Sequence, residues 1–313
     1  MQGALMEGLI RSRLFWGVLG GLVIAALIPL GVSSYIIGVL IPAYYFAVFA
    51  MSWDLLFGFA GEVNFGPTFL VGLGAYGAGV LNSETGLPIP VCVAFGAILA
   101  VAGGVLLALP ALRLSGPYFG LITLVAVLLL QQMVTVFAKW TGGEIGLSIP
   151  DVLSIDDSFN YYFALGFMVL SAAILFGLSR SSAGLILQAC GQDPVEAQAL
   201  GFNVAKHKLA AFCVSALFSG LAGALLVFYE STASPGTVID IAVGVQVIIA
   251  AVMGGRRTIL GALLGAVFLV GAGEVLRPLG QLSTFVVSAF ALVVILFVPA
   301  GFLGTLLHRR RDA

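Results

Sequence analysis

The stretch IPVCVAFGAILAVAGGVLLALP, residues 89–110, contains no charged residue. As an α-helix rising 1.5 Å per residue it is roughly 30 Å long, the thickness of a bilayer's hydrocarbon core. Its apolar residues are continuous rather than alternating, which excludes a strand of a membrane barrel. Working outward, comparable runs occupy 65–81, 34–50 and 14–32 on one side. On the other they occupy 117–137, 159–178, 208–228, 241–254, 258–275 and 282–306. These runs predict an all-α polytopic membrane protein of about ten transmembrane helices, forming one transmembrane domain over 1–313. The second and eighth runs are short enough to be broken or tilted.

Composition agrees. Of 313 residues, 61% are hydrophobic and only 9% charged, whereas a soluble chain carries roughly 25% charged residues to cover its surface. Lipid accepts such a surface, provided that helices satisfy the backbone internally. Arg11 and Arg13 precede the first run as in a secretory signal, but that run is long enough to span and lacks a clean cleavage site. It reads as an uncleaved first helix.

Basic residues orient the spans, because cytoplasmic loops are enriched in Lys and Arg. With both termini cytoplasmic, Arg11, Arg13, Arg113, Arg180, Lys206, Lys208, Arg256, Arg257, Arg309, Arg310 and Arg311 fall inside. Of the 13 basic residues only Lys139 and Arg277 then fall outside. The outer loop 138–158 is acidic, with Glu144, Asp151, Asp156 and Asp157. The inner loop 179–208 is the longest on its side.

Several function classes drop out. Cys92, Cys190 and Cys213 match no disulfide or metal pattern and read as small fillers. His207 and His308 flank spans beside basic residues, and no acid or nucleophile is spaced to join them, so neither a catalytic residue nor a metal ligand is expected. No basic stripe suggests nucleic acid. Lys139, Lys206 and Lys208 are the only lysines and none follows a glycine, so the chain has no phosphate-cradling G-x-x-x-x-G-K-[ST] loop. Apart from Lys208 at the cytoplasmic start of its run, Glu274 is the one charged residue within the runs, and Asp54 and Glu62 flank an interruption, which is little machinery for ion coupling. Glycines four apart (Gly17 and Gly21, Gly261 and Gly265), Ser219 with Gly223, and the cluster Gly72, Gly74, Gly77 and Gly79 read as close helix crossings.

The inner loop holds QACGQDPVEAQALGFNVAKHK, residues 188–208. Asp193 is placed as an N-cap, Pro194 at the first helical position and Glu196 at the third, as in a capping box. Val195, Ala199 and Leu200 form a small apolar face, Ala197 lies between them, and Gly201 terminates the helix. A short helix of about two turns follows. It is either an ordinary loop helix or a plug for a groove on a soluble partner.

The segment EAQALG, Glu196 to Gly201, resembles the EAA-type loop of ABC importer permeases. WDLLFGFAGEVNFGPTFLVGLGAY (53–76), RLSGPYFGLITL (113–124), TGGEIGLSIP (141–150), 183–225 and MGGRRTILGALLGAV (253–267) resemble LivM-type permease subunits of branched-chain amino acid importers, with sister systems for urea and short amides. The blocks lie in family order over about 50–305. The resemblance implies a non-catalytic transport subunit in a prokaryotic cytoplasmic membrane. Its implied partners are a homologous LivH-type second permease, two ABC ATPase subunits that bind ATP and Mg, and an extracytoplasmic binding protein. It assigns coupling to the helix Asp193–Gly201. Leu185, Gln188, Gly191 and Gln198 stand where the family often has arginine, and Pro194 where a charge is common, so contacts to the ATPase differ in detail.

The interruption Gly58–Thr68 exposes backbone dipoles, and reads as either a translocation gate or a cytoplasmic turn. Gly61, Asn64, Phe65, Gly66 and Thr68 are its candidate residues. Tyr118, Phe119 and Thr123, at the start of the fifth run, are candidates for the same path, with an interfacial anchor as the other reading of Tyr118. Thr141, Gly142, Gly143 and Glu144 are candidates for binding-protein docking. Branched-chain amino acid is the first expectation for cargo and urea or a short amide the second. A stand-alone ion-coupled carrier or channel is the alternative from another class.

Overall fold

The structure, a computed structural model, describes residues 16–17, 20–112, 117–297 and 301. Arg11, Arg13, Arg113, His308 and Arg309 to Arg311 lie outside these, as do both termini. From Ser34 onward the helices of six residues or more are α1 (Ser34–Asp54), α2 (Pro67–Thr85), α3 (Ile89–Ala111), α4 (Pro117–Val136), α5 (Asp157–Arg180), α6 (Ser182–Gln192), α7 (Pro194–Ala199), α8 (Val204–Glu230), α9 (Ile241–Gly254), α10 (Ile259–Leu276) and α11 (Gln281–Phe297). A shorter helix, Gly20–Leu30, precedes α1. Two-residue strands β1 (Leu147–Ser148) and β2 (Thr232–Ala233) pair antiparallel across two loops.

The protein is an all-α polytopic membrane protein. Seven helical stretches among the described residues are long and apolar enough to cross a bilayer. The other three expected runs take different forms. The first appears as Gly20–Leu30, the last as α11 with 17 residues, and the third as α2, a 19-residue helix diluted by glycines and by Asn82, Ser83 and Glu84.

The second run is longer than expected. α1 continues through a π-helical turn, Leu55–Phe59, so the span Ser34–Phe59 has 26 residues. The interruption therefore begins at Ala60 rather than Gly58. Asp54, expected beside the break, sits inside the helical span and is fully buried.

α1 is the central post, packed by α5, α8, α9 and α10. Its second half from Ala43 to Asp54 is buried throughout, which is why it lacks an amphipathic stripe. α5 holds it through Tyr161, whose hydroxyl lies 2.7 Å from that of Tyr44. Tyr161 and Tyr162 also donate to the carbonyls of Ala25 and Ala26, at 2.7 and 3.0 Å, fastening the helix Gly20–Leu30.

A second group, α2, α3 and α8, meets at glycines. A Cβ on Gly74 would lie 2.2 Å from the Gly220 carbonyl oxygen, and one on Gly96 2.4 Å from that of Gly74. Gly223 abuts the Val71 carbonyl at 2.4 Å in the same sense. Lipid supplies no hydrophobic drive for helix association, so close backbone packing is what holds such helices. Gly261 and Gly265 do this between α9 and α10, where a Cβ on Gly265 would stand 2.0 Å from the Ala250 carbonyl. Gly17 and Gly21, expected to act alike, have no described atom within 4 Å of such a Cβ. Gly74→Val should lower stability by roughly 2–4 kcal/mol through overpacking, read as a lower melting temperature in detergent; an unchanged value would refute the crossing.

Helix ends alternate between two faces. One carries the ends of α1, α3, α5 and α9, the starts of α2, α4, α8 and α10, and the α6–α7 arm; the other carries β1 and β2.

Candidate functional site

The interruption between α1 and α2 is a junction on the face that bears the α6–α7 arm. Gly61 turns the chain with φ +73°, a left-handed conformation that suits glycine. The Trp53 indole donates to the Asn64 carbonyl at 2.6 Å, and Asn64 Oδ1 accepts from the Gly66 N–H at 2.8 Å. Backbone that has left the helix is thus satisfied locally, as burial demands.

Four elements converge on it. From α4, Thr123 Oγ1 accepts from the Phe65 N–H at 3.0 Å, and a Cβ on Gly66 would lie 2.1 Å from the Thr123 carbonyl. From α8, Lys208 Nζ lies 2.5 Å from Glu62 Oε1, both side chains largely covered. From the α9–α10 hairpin, the Arg257 N–H donates to Asp54 Oδ1 at 3.1 Å and its Nε to the Gly58 carbonyl at 2.9 Å. The Arg256 guanidinium stacks 4.3 Å from the Phe57 ring. From α6, Gly191 seats against the turn: its Cβ would lie 2.5 Å from the Phe59 carbonyl, and that of Gly61 2.7 Å from the Gly191 carbonyl.

Of the expected path residues, Asn64, Thr68, Phe119 and Thr123 are buried here and Gly61, Phe65 and Gly66 form the turn. Phe119 packs edge-on against Phe212 of α8. Tyr118 is not buried with them; it is 65% exposed. The Thr68 hydroxyl and Asp54 Oδ2 are buried with no hydrogen-bond partner among the described residues. Sequence reading missed Lys208, Arg257 and Gly191 as junction residues. The charges of Lys208 and Arg257, opposite to those of Glu62 and Asp54, were visible but not their proximity, and Gly191 carries no side chain to signal its contact.

The α6–α7 arm hangs from this junction. α6 was not anticipated; it is capped by Ser181, whose hydroxyl accepts from the Gly184 N–H. Asp193 caps α7, its Oδ1 accepting from the N–H groups of Val195 and Glu196 at 2.9 and 3.0 Å. The reciprocal half of the expected capping box does not form, because the Asp193 N–H donates to the Ala189 carbonyl at the end of α6. One residue ends one helix and begins the next. Gly201, at φ +89°, closes α7, with the Phe202 N–H donating to the Ala197 carbonyl at 3.1 Å.

Only Ala197 of α7 faces inward, packing with Cys190 and Val204. Val195 and Leu200 are 76% and 75% exposed, and Pro194, Glu196, Gln198 and Ala199 also face outward. Cys190, placed by sequence in a polar loop, is fully buried, and burial pushes its thiol pKa up; it is a filler under the arm.

On the opposite face Thr141, Gly142, Gly143 and Glu144 open a tight loop. Gly142, Gly143 and Gly146 have φ of +73°, +61° and +94°, and Thr141 Oγ1 donates to the Val134 carbonyl at 2.5 Å. Glu144 is exposed and Gly143 buried. Leu147–Ala233 and Ser148–Thr232 pairing sews this loop to the one after α8, and Asn82 donates to Asp151 at 2.7 Å.

Residues 35–299 match the family described as branched-chain amino acid transport system, permease component. The chain belongs to this family. It is 26% identical to the high-affinity branched-chain amino acid transport system permease protein LivM of Escherichia coli, over 94% of this chain and 75% of that protein. It is 25% identical to the corresponding LivH of Escherichia coli, over 83% of this chain and 91% of that protein. Ribose import permease protein RbsC of Haemophilus influenzae is 29% identical over 74% of each chain. No solved structure matches. The permease is therefore a multi-pass inner-membrane transport subunit, and its junction and arm are the parts to ask about coupling.

Lys208→Met should leave Glu62 without its partner and cost about 1–3 kcal/mol, with Glu62→Gln restoring part of the loss in the double variant. Additive losses in a thermal-melt cycle would refute the pairing.

Proposed function

We propose that this permease forms, with a LivH-type second permease, the translocation path of a branched-chain amino acid importer. Two separate ATPase subunits, holding ATP and Mg, drive it, and an extracytoplasmic binding protein delivers the cargo at Thr141–Glu144. Ten spans with both termini cytoplasmic, and the arm on the cytoplasmic face, complete this reading. α7 docks on an ATPase through Val195, Ala199 and Leu200. Its motion reaches the Gly61–Thr68 turn through Gly191, and the turn, with Phe119 and Thr123, gates the path.

The observation that carries this reading is the two-sidedness of the arm. A six-residue helix and its C-cap residue leave Val195 and Leu200 about three-quarters exposed, while α6 interlocks glycine-to-glycine with the break. An ordinary loop helix buries its apolar residues. Each relative's name supports a cargo for that relative only, and the ribose permease marks a second cargo class for testing.

The test is uptake by the complex purified with its partners and reconstituted in liposomes. Labelled leucine, urea and ribose are offered with the cognate binding protein, with and without ATP. ATP-dependent leucine uptake supports the proposal. Uptake of urea or ribose alone replaces the cargo, and uptake by this chain without ATP or partners replaces the importer by a stand-alone carrier.

A further inference from the structure

α9, α10 and α11 line a half-open cavity of about 210 Å³. Met253, Phe268, Leu269, Ala272, Val286 and Phe290 form its walls with Leu276. On α10 the positions 268, 272 and 276 fall four apart and so share one face. From Phe268 to Leu276 the groove runs roughly 12 Å along the axis at 1.5 Å per residue. Phe268, Phe290 and Val286 remain 45%, 45% and 37% exposed, so the groove opens sideways to the bilayer. An apolar cavity of this size does not hold ordered water, but it does accept hydrocarbon.

One residue beyond Leu276 the surface becomes dipolar. Arg277 Nη1 lies 3.1 Å from Glu274 Oε1 and 3.0 Å from the Tyr35 hydroxyl, and that hydroxyl also donates to Glu274. Arg277 is 67% exposed and Glu274 26% at the side chain. Three side chains from α10, the turn after it and the start of α1 thus hold a fixed positive and negative charge at the mouth of a hydrocarbon slot. The cluster lies on the face opposite the α6–α7 arm.

The geometry points to a site for one zwitterionic phospholipid of the phosphatidylethanolamine class. One acyl chain fills the groove, the phosphate accepts from the Arg277 guanidinium, and the headgroup ammonium faces the Glu274 carboxylate. An anionic headgroup meets Arg277 equally well but places nothing positive against Glu274, so it binds more weakly. Aromatic hydroxyls such as that of Tyr35 commonly sit at this depth.

The test is native mass spectrometry of the full-length chain, stripped of lipid in detergent and titrated with dioleoyl phosphatidylethanolamine or dioleoyl phosphatidylglycerol. Glycerophosphoethanolamine supplies the headgroup alone. The expected result is one retained phosphatidylethanolamine, about tenfold preferred over phosphatidylglycerol, as one charge-assisted contact implies. Glycerophosphoethanolamine should not be retained. Arg277→Gln, at an exposed position, and Ala272→Phe, which fills the slot, should each cut retention by about fivefold or more. Equal retention of both lipids, retention unchanged by Arg277→Gln, or retention of glycerophosphoethanolamine matching that of the lipid would overturn the site. Should Ala272→Phe fail to fold, the Arg277→Gln result decides.

Discussion

Val195→Asp with Leu200→Asp is expected to abolish recovery of the ATPase with the permease while the permease itself inserts and melts as wild type. Both side chains are about three-quarters exposed, and surface substitutions away from caps and cores usually change stability by within about 0.5 kcal/mol. Asp193 and Gly201, which start and stop α7, are untouched, so the helix persists. At an interface the same changes are severe. Truncating a central apolar anchor costs roughly 2–4 kcal/mol, and a carboxylate in its place is desolvated without a partner. The pair should weaken association by about a hundredfold or more. Co-purification from native membranes reads the first half, and the melting curve of the isolated variant reads the second. Undiminished recovery of the ATPase with the double variant would remove α7 from the interface.

The second large effect separates docking from transmission. Gly191→Val leaves every outward residue of α7 in place, yet its Cβ would press within 2.5 Å of the Phe59 carbonyl and 2.9 Å of the Gly61 N. Backbone on both sides leaves no flexible side chain to yield. The arm must lift from the turn, and motion imposed on α7 then no longer reaches Asn64–Thr68. We expect ATPase recovery within about twofold of wild type but ATP-driven uptake lowered about tenfold or more, a loss of function from misplacement alone. Gly191→Ala places the same Cβ with less bulk beyond it and should fall between. Normal uptake by Gly191→Val would show that the glycine seat carries no motion.

How much of this was legible beforehand depends on the range of the cause. The α7 helix was readable residue by residue, because Asp193, Pro194 and Gly201 act within one turn of their own backbone. Its capping box was readable only in part, since the Asp193 N–H had a competitor in α6 that local pattern did not reveal. Asn64, Phe65 and Gly66 of the interruption and Thr123 of the fifth run were candidates for one path, and a hydrogen bond joins Phe65 to Thr123. Tyr118, one residue from the buried Phe119, is exposed, because helix geometry turns neighbours about 100° apart.

What stayed hidden is long-range or too short to signal. Gly61 and Gly191 interlock across 130 positions with no side chain to betray the contact. Asp54 was judged by its place in sequence, whereas the π turn carries the helix five residues further. Strands of two residues have no period to detect, so the β1–β2 ribbon was invisible.

The central claim is that α7 and the Gly61–Thr68 turn move as one body against the opposite face. The most direct test is double electron–electron resonance on the assembled importer, with spin labels on cysteines introduced in a background free of Cys92, Cys190 and Cys213. One pair joins Gln198, exposed on α7 and outside its docking residues, to Phe65, and a second joins Phe65 to Ile155 on the exposed outer loop. With ATP and the binding protein added, the account predicts an unchanged Gln198–Phe65 distance and a shifted Phe65–Ile155 distance. A Gln198–Phe65 distance that changes while Phe65–Ile155 stays fixed would contradict it.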